Sequence, residues 1–218
     1  MSEIKIGIIG WGSLLWDPRD LKISKIKIGN CSQDIWHGGP YLPIEFARVS
    51  NDGRLTLVID EGINTDIQSS KSQTWIAESL LSSVEDAHFD LSIREGGEGV
   101  PTGHAGITSR NESGINMLIK EWLDGPENTE KFTDLIWTNL EPKSNEPGEK
   151  WEYGDRCKYI QSNMENKKLI EYIKKTPPTV RTPIRDYAEK KFGWKQDESY
   201  IWDRMAKTIY FPKSQNPQ

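Results

Sequence analysis

The chain is short of cysteine, histidine, basic charge and long apolar runs, and each shortage closes a class of function. Among its 218 residues only Cys31 and Cys157 are cysteines. One pair makes no disulfide framework, and both thiols are expected to be reduced. The histidines His37, His88 and His104 are scattered and no Cys-x-x-Cys occurs, so metal-ligand spacing is missing and no metal is expected. A net charge of −5 and a pI near 5.4 leave no footprint for nucleic acid. No stretch reaches the roughly 18 apolar residues that a membrane-spanning helix needs. The opening Met-Ser-Glu-Ile-Lys lacks the basic, apolar and small-residue zones of a signal peptide. The expectation is a cytoplasmic protein that binds neither nucleic acid nor membrane, with an oligomeric state that composition leaves open.

Hydrophobic residues make up only 35% of the chain, and nine tryptophans offset that shortfall because each buries far more area than an aliphatic residue. The length suits one domain with an appendage. A core over residues 1–145 is expected, followed by a C-terminal loop and helical extension over 146–218 packed on it. Strand-like segments come first and helix-like segments later, which predicts an α+β fold.

The most informative stretch is an apolar run, Ile4 to Ile9, that stops in Gly10-Trp11-Gly12-Ser13-Leu14-Leu15-Trp16. Its β-branched residues predict a buried strand. The glycines let the backbone bend back and approach a ligand closely. Successive amide N–H groups leaving such a strand form a concave set of donors for a carboxylate or phosphate. The dinucleotide fingerprint needs a third glycine where Leu15 stands, and only Asp34 offers the later acidic residue. No Gly-Lys-Ser/Thr follows, which excludes a Walker-type loop. On its own, the turn is best explained by Leu14, Leu15 and Trp16 filling core.

Further along, Ile23 to Ile28 alternates apolar residues with lysine, as a half-exposed strand does. Leu42 to Ser50 and Arg54 to Ile59 flank Asn51-Asp52-Gly53 and predict a hairpin. Ile44, Phe46 and Arg48 fall on one face by alternation, which directs Arg48 inward and Glu45 outward, while Arg54 reads as solvated. Both arginines read as structural. Trp75 to Ala77 predicts a short strand after a polar loop, Asn64 to Ser72. Ser82 or Ser83 caps a predicted helix carrying Glu85 and Asp86 in its first turn, with Leu80, Val84, Ala87 and Leu91 at helical spacing. Gly96-Gly97-Glu98-Gly99 ends it near Arg94-Glu95, leaving Glu95 at the end where the helix dipole opposes its charge. Ile115 to Trp122 predicts a helix, Phe132 to Leu140 a strand and Lys143 to Tyr153 a surface loop. Leu169 to Ile173 and Ile184 to Phe192 predict two short helices, and Lys213 to Gln218 a frayed end. Trp36, Trp75, Trp122, Trp137 and Trp151 read as core.

Taken together, Gly-Trp-Gly-Ser-Leu-Leu-Trp at 10–16, Ile35-Trp36-His37-Gly38, Gly53 to Val58, and Ile93-Arg94-Glu95-Gly96-Gly97 follow in order. This series resembles the γ-glutamylcyclotransferase superfamily, in particular its ChaC-like branch and bacterial relatives. The likeness covers about the first 100 residues of the chain, an extent set by those motifs. It implies a small mixed β-sheet or partly closed barrel with flanking helices. It also implies an activity: the α-amine of a γ-glutamyl amide or peptide attacks its own γ-carbonyl, releasing 5-oxoproline and a free amine without metal or cofactor.

Under this resemblance Glu95 is the general acid/base that deprotonates the amine and returns a proton to the leaving group. Trp11, Gly12, Ser13, Leu14, Leu15 and Trp16 bind the glutamyl moiety, with their amides on its α-carboxylate and on the developing oxyanion. Ser13 is expected to bind and not to attack, because no Gly-x-Ser-x-Gly elbow surrounds it. The chain departs from the pattern at Trp11, where the family carries tyrosine, and after Glu95, where flanking Lys and Tyr are missing. Glu45 and Glu78 are the alternative carboxylates. The rival readings are a catalytically silent module that holds a small molecule or acidic group, and a nucleotide-binding protein.

Overall fold

A computed structural model of the chain describes residues 4–28, 31–62, 71–107, 114–145, 151–196, 201–203 and 208–210. Its strands are β1 (Ile6–Gly10), β2 (Lys25–Ile28), β3 (Cys31–Leu42), β4 (Ile44–Val49), β5 (Leu55–Ile59), β6 (Ser72–Glu78), β7 (Thr102–Gly106), β8 (Asp134–Thr138), β9 (Ile201–Asp203) and β10 (Thr208–Tyr210). Its helices are α1 (Val84–Glu95), α2 (Gly114–Asp124), α3 (Tyr153–Ser162), α4 (Lys167–Lys175) and α5 (Pro183–Phe192). The class is α+β, as expected.

The main sheet runs β7-β8-β1-β6-β3-β10-β9, with β2 on a second register of β3. Among the described strands of this sheet β1 and β8 pair in parallel and the other pairs are antiparallel. The expectation of a partly closed barrel is corrected here. The β4–β5 hairpin forms its own two-stranded sheet and does not join the path, so the sheet stays open between β7 and β9.

β1 is buried on both faces, which is why it reads as an unbroken apolar run. Ile6 and Ile8 enter one core with Leu14, Leu15, Trp36, Trp75 and, from α1, Ala87 and Leu91. Ile9 and Trp11 enter a second core with the hairpin residues Ile44, Phe46, Leu55 and Leu57 and the α4 residues Leu169 and Tyr172. Gly7 is required by close approach, since a Cβ there would lie 2.5 Å from Leu135 and 2.6 Å from Ile76.

α1 begins where the sequence predicts: the Ser83 hydroxyl accepts from the Asp86 amide at 3.0 Å. Leu80, expected on the buried face of this helix, precedes it and is exposed. The surface loop expected up to Tyr153 gives way to α3, and its residues 146–150 lie outside the described residues, as do most of Asn64 to Ser72 and all of Lys213 to Gln218. Cys157 is a free thiol, and the side chain of Cys31 lies outside the described residues. Among the described residues no helix is long and apolar enough to cross a membrane.

Glu45 is corrected from outward to buried, with 1% of its surface exposed. The N-terminus of α5 covers it: the carboxylate accepts from the Phe46 amide at 2.7 Å and from Thr182 and the Ile184 amide. Burial pushes its pKa up to about 7, against those hydrogen bonds and the charge of Arg156. The folded protein therefore keeps a proton that the unfolded chain loses near pH 4.5. This contribution to stability is fully present below that pH and is lost as pH rises through about 7, amounting to about 3 kcal/mol. Glu45→Gln is expected to flatten this part of the stability profile, measured by urea unfolding from pH 4 to 8. Parallel profiles for the two proteins would contradict the assignment.

Candidate active site

The Trp11–Trp16 turn leaves the carboxyl end of β1 with its side chains committed to opposite sides of the sheet. Trp11 goes to the hairpin side, where its indole N–H donates to the Leu57 carbonyl at 3.2 Å. Leu14 and Leu15 go to the α1 side and are buried there. One helical turn closes the loop, with the Leu15 amide donating to the Gly12 carbonyl (2.9 Å) and the Asp17 amide to the Ser13 carbonyl (2.8 Å). The N–H groups at the start of such a turn point away from its own carbonyls. Gly12 is fixed by packing: a Cβ there would collide with the Tyr172 hydroxyl.

Beside the turn lies a cavity of about 390 Å³. Its lining includes Trp11, Gly12, Ser13 and Leu14 of the turn, Arg94, Glu95 and Gly96 from the end of α1, Thr138 from the end of β8, and Tyr172 of α4. Leu15 and Trp16 are not in the lining. Leu15 is fully buried core, and Trp16 packs edge-on against Tyr172 at 5.4 Å. The cavity thus sits beyond the carboxyl ends of the one parallel strand pair, where open α/β sheets leave a crevice.

Glu95 is the last residue of α1, and its side chain is 18% exposed. Arg94 binds it at 2.8 Å through Nη1, while Nη2 donates to the Ser13 hydroxyl at 3.3 Å and to the Asp17 carbonyl at 2.5 Å. One guanidinium therefore ties the carboxylate to the turn. Arg19 donates to the Arg94 carbonyl at 3.0 Å, adding a second cation at the helix end. These charges answer the dipole that opposes a carboxylate at this position. Gly96 and Gly97 then turn the chain away with φ of 138° and 135°, which side chains with a Cβ rarely adopt.

The hairpin supplies Arg48 and Arg54 to the lining, neither of which the sequence marks as part of a site. Arg48 is not an inward core residue. Pairing shifts register between Phe46 and Arg48, and the guanidinium donates to the Glu141 carbonyl at 2.9 Å. Arg54 binds Asp52 at 2.9 Å and lies 5.5 Å from the centre of the Tyr172 ring. Against some burial, hydrogen bonds from Ser50 and Arg54 bring Asp52 down to about 2. Four arginines, at 19, 48, 54 and 94, face two carboxylates, Asp17 and Glu95, in the lining, so the cavity favours an anion in a chain of net negative charge.

Tyr172 is the site residue that sequence reasoning missed. Its hydroxyl oxygen accepts from the Leu57 amide at 3.4 Å and from the Ser13 amide. Burial, then the nearby charge of Glu95, raises its pKa above the ordinary phenol value. The alternative carboxylates are elsewhere: Glu45 lies under α5, and Glu78 pairs with Lys5 at 3.4 Å. No histidine is in the cavity lining among the described residues. No protein-family model, curated protein or solved structure matches the chain.

Arg94→Leu removes three contacts and leaves a largely buried carboxylate without its cation. Unfolding free energy is expected to fall by about 3 kcal/mol in urea titration, with faster amide exchange across Trp11–Trp16. An unchanged midpoint and unchanged exchange would remove Arg94 as the tie.

Proposed function

We propose that the chain is a cyclotransferase that converts a γ-glutamyl amide or peptide into 5-oxoproline and a free amine. The observation that carries this reading is the shared cavity: residues Trp11 to Leu14 of the turn and Glu95, far apart in sequence, face one space and are joined through Arg94. The anion-favouring lining suits the α-carboxylate of a glutamyl group. The resemblance of the first 100 or so residues supplies the reaction class, and the residue types fit what that reaction demands.

In this mechanism turn amides hold the α-carboxylate, and Glu95 takes a proton from the α-ammonium. The freed nitrogen bonds to the γ-carbonyl carbon, the C=O electron pair moves onto oxygen, and collapse breaks the amide C–N bond. The ammonium gives up two protons in all and the released nitrogen gains two, so no water enters the balance. Because nucleophile and electrophile share one molecule, the protein's main task is folding the substrate into attacking geometry.

A silent binding module is favoured by one observation, the 2.8 Å bond by which Arg94 already engages a Glu95 oxygen. One comparison separates the two readings. Glu95→Gln is expected to slow 5-oxoproline release from a panel of γ-glutamyl amines and peptides by at least about 100-fold, with product affinity unchanged. Ligand binding without turnover in either protein would establish the silent module instead.

A further inference from the structure

Tyr172 reaches the cavity from α4, in the part of the chain that the N-terminal motifs do not cover. Four features of its surroundings restrict what its hydroxyl can do. The side chain is 5% exposed, so bulk water does not satisfy it. Trp16 and Phe46 hold the ring edge-on at 5.4 and 6.1 Å, and Arg54 lies across it, which fixes the ring's direction. Gly12 abuts the hydroxyl so closely that even a methyl group would be excluded. Finally, two backbone amides, Leu57 and Ser13, donate to the phenolic oxygen.

A phenol has one proton to give and room for two accepted bonds. With both acceptor positions taken by amides, the hydroxyl proton is left to point elsewhere. Among the described residues it has no acceptor, although Tyr172 lines the cavity and its hydroxyl abuts Gly12 of the turn. A buried donor without an acceptor is costly, and a ligand oxygen in the cavity would supply one. Two N–H donors on its oxygen also polarise the O–H bond and strengthen what it donates.

We infer that Tyr172 is a catalytic residue, its O–H donating a hydrogen bond to the substrate oxygen that becomes negative as the lactam closes. This rests on the cyclotransferase reading above. As the α-nitrogen attacks, the γ-carbonyl oxygen gains the electron pair. Tyr172 stabilises that charge without surrendering its proton, and the oxygen returns to a carbonyl when the C–N bond breaks. Burial and the negative charge of Glu95 keep the phenol protonated across the neutral range, as a donor must be. The site thereby regains a phenolic hydroxyl although position 11 carries tryptophan.

The test compares wild type, Tyr172→Phe, and a protein with difluorotyrosine incorporated at 172, using 5-oxoproline release under saturating and limiting substrate. Tyr172→Phe is expected to lose about 100-fold in kcat, the usual cost of one oxyanion donor, with KM within a few-fold of wild type. Difluorotyrosine, whose phenol ionises more readily, is expected to move the alkaline limb of the kcat profile to lower pH. A purely structural role would leave that limb in place. An unchanged limb, a kcat within threefold of wild type for Tyr172→Phe, or a loss confined to KM overturns the assignment while leaving Glu95 untouched. Absence of turnover by wild type across the panel overturns the cyclotransferase reading and this assignment with it.

Discussion

Everything about the site depends on how the Trp11–Trp16 turn is held. Its backbone sits on the line where two hydrophobic cores meet, with Trp11 pulled into the hairpin side and Leu14 and Leu15 into the α1 side. Burying large apolar side chains on both faces stabilises the turn by a few kcal/mol, far more than any bond it makes to itself. The same anchoring selects its neighbours. Leu14 and Leu15 share a core with Ala87 and Leu91, so the end of α1 arrives beside the turn. Trp11 shares a core with Phe46, Leu57 and Tyr172, so the hairpin and α4 arrive on the other side. The cavity is the space left where these elements converge.

Electrostatics then refine what packing assembles. A carboxylate at the end of a helix is unfavourable, and two arginines make it tolerable: Arg94 by direct pairing and Arg19 by binding the terminal carbonyl. The arrangement keeps Glu95 where the helix alone would not hold it. Such a local conflict with compensation beside it is what functional sites commonly contain. The hairpin arginines add to the same field, and Tyr172 contributes a donor that no protein oxygen among the described residues uses.

The parts of the fold that local rules govern were legible in the sequence. The apolar run and glycines marked β1 and its turn, Asn51-Asp52-Gly53 marked the hairpin, and Ser83 with Gly96 bracketed α1. Other features depend on contacts that no short window contains. β3 runs through Gly38, Gly39 and Pro40, residues that argue against a strand, and its pairing shifts register between Gly38 and Tyr41 to admit them. A second register shift re-aimed Arg48, so strict alternation gave the wrong surroundings. Glu45 is buried because α5 folds back over it. Tyr172 joins the site only through the docking of α4 on the hairpin, and nothing in its own neighbourhood of sequence signals that. Motif order singles out Glu95 and the turn, and packing accounts for why they meet.

The most direct measurement is a crystal structure with 5-oxoproline bound. The account predicts its carboxylate on the Gly12 and Leu14 amides, the Ser13 amide being engaged by Tyr172, and its ring nitrogen within hydrogen-bond reach of Glu95. A ligand seated elsewhere, or one in the cavity with Glu95 turned away from it, would contradict the shared site on which the account rests.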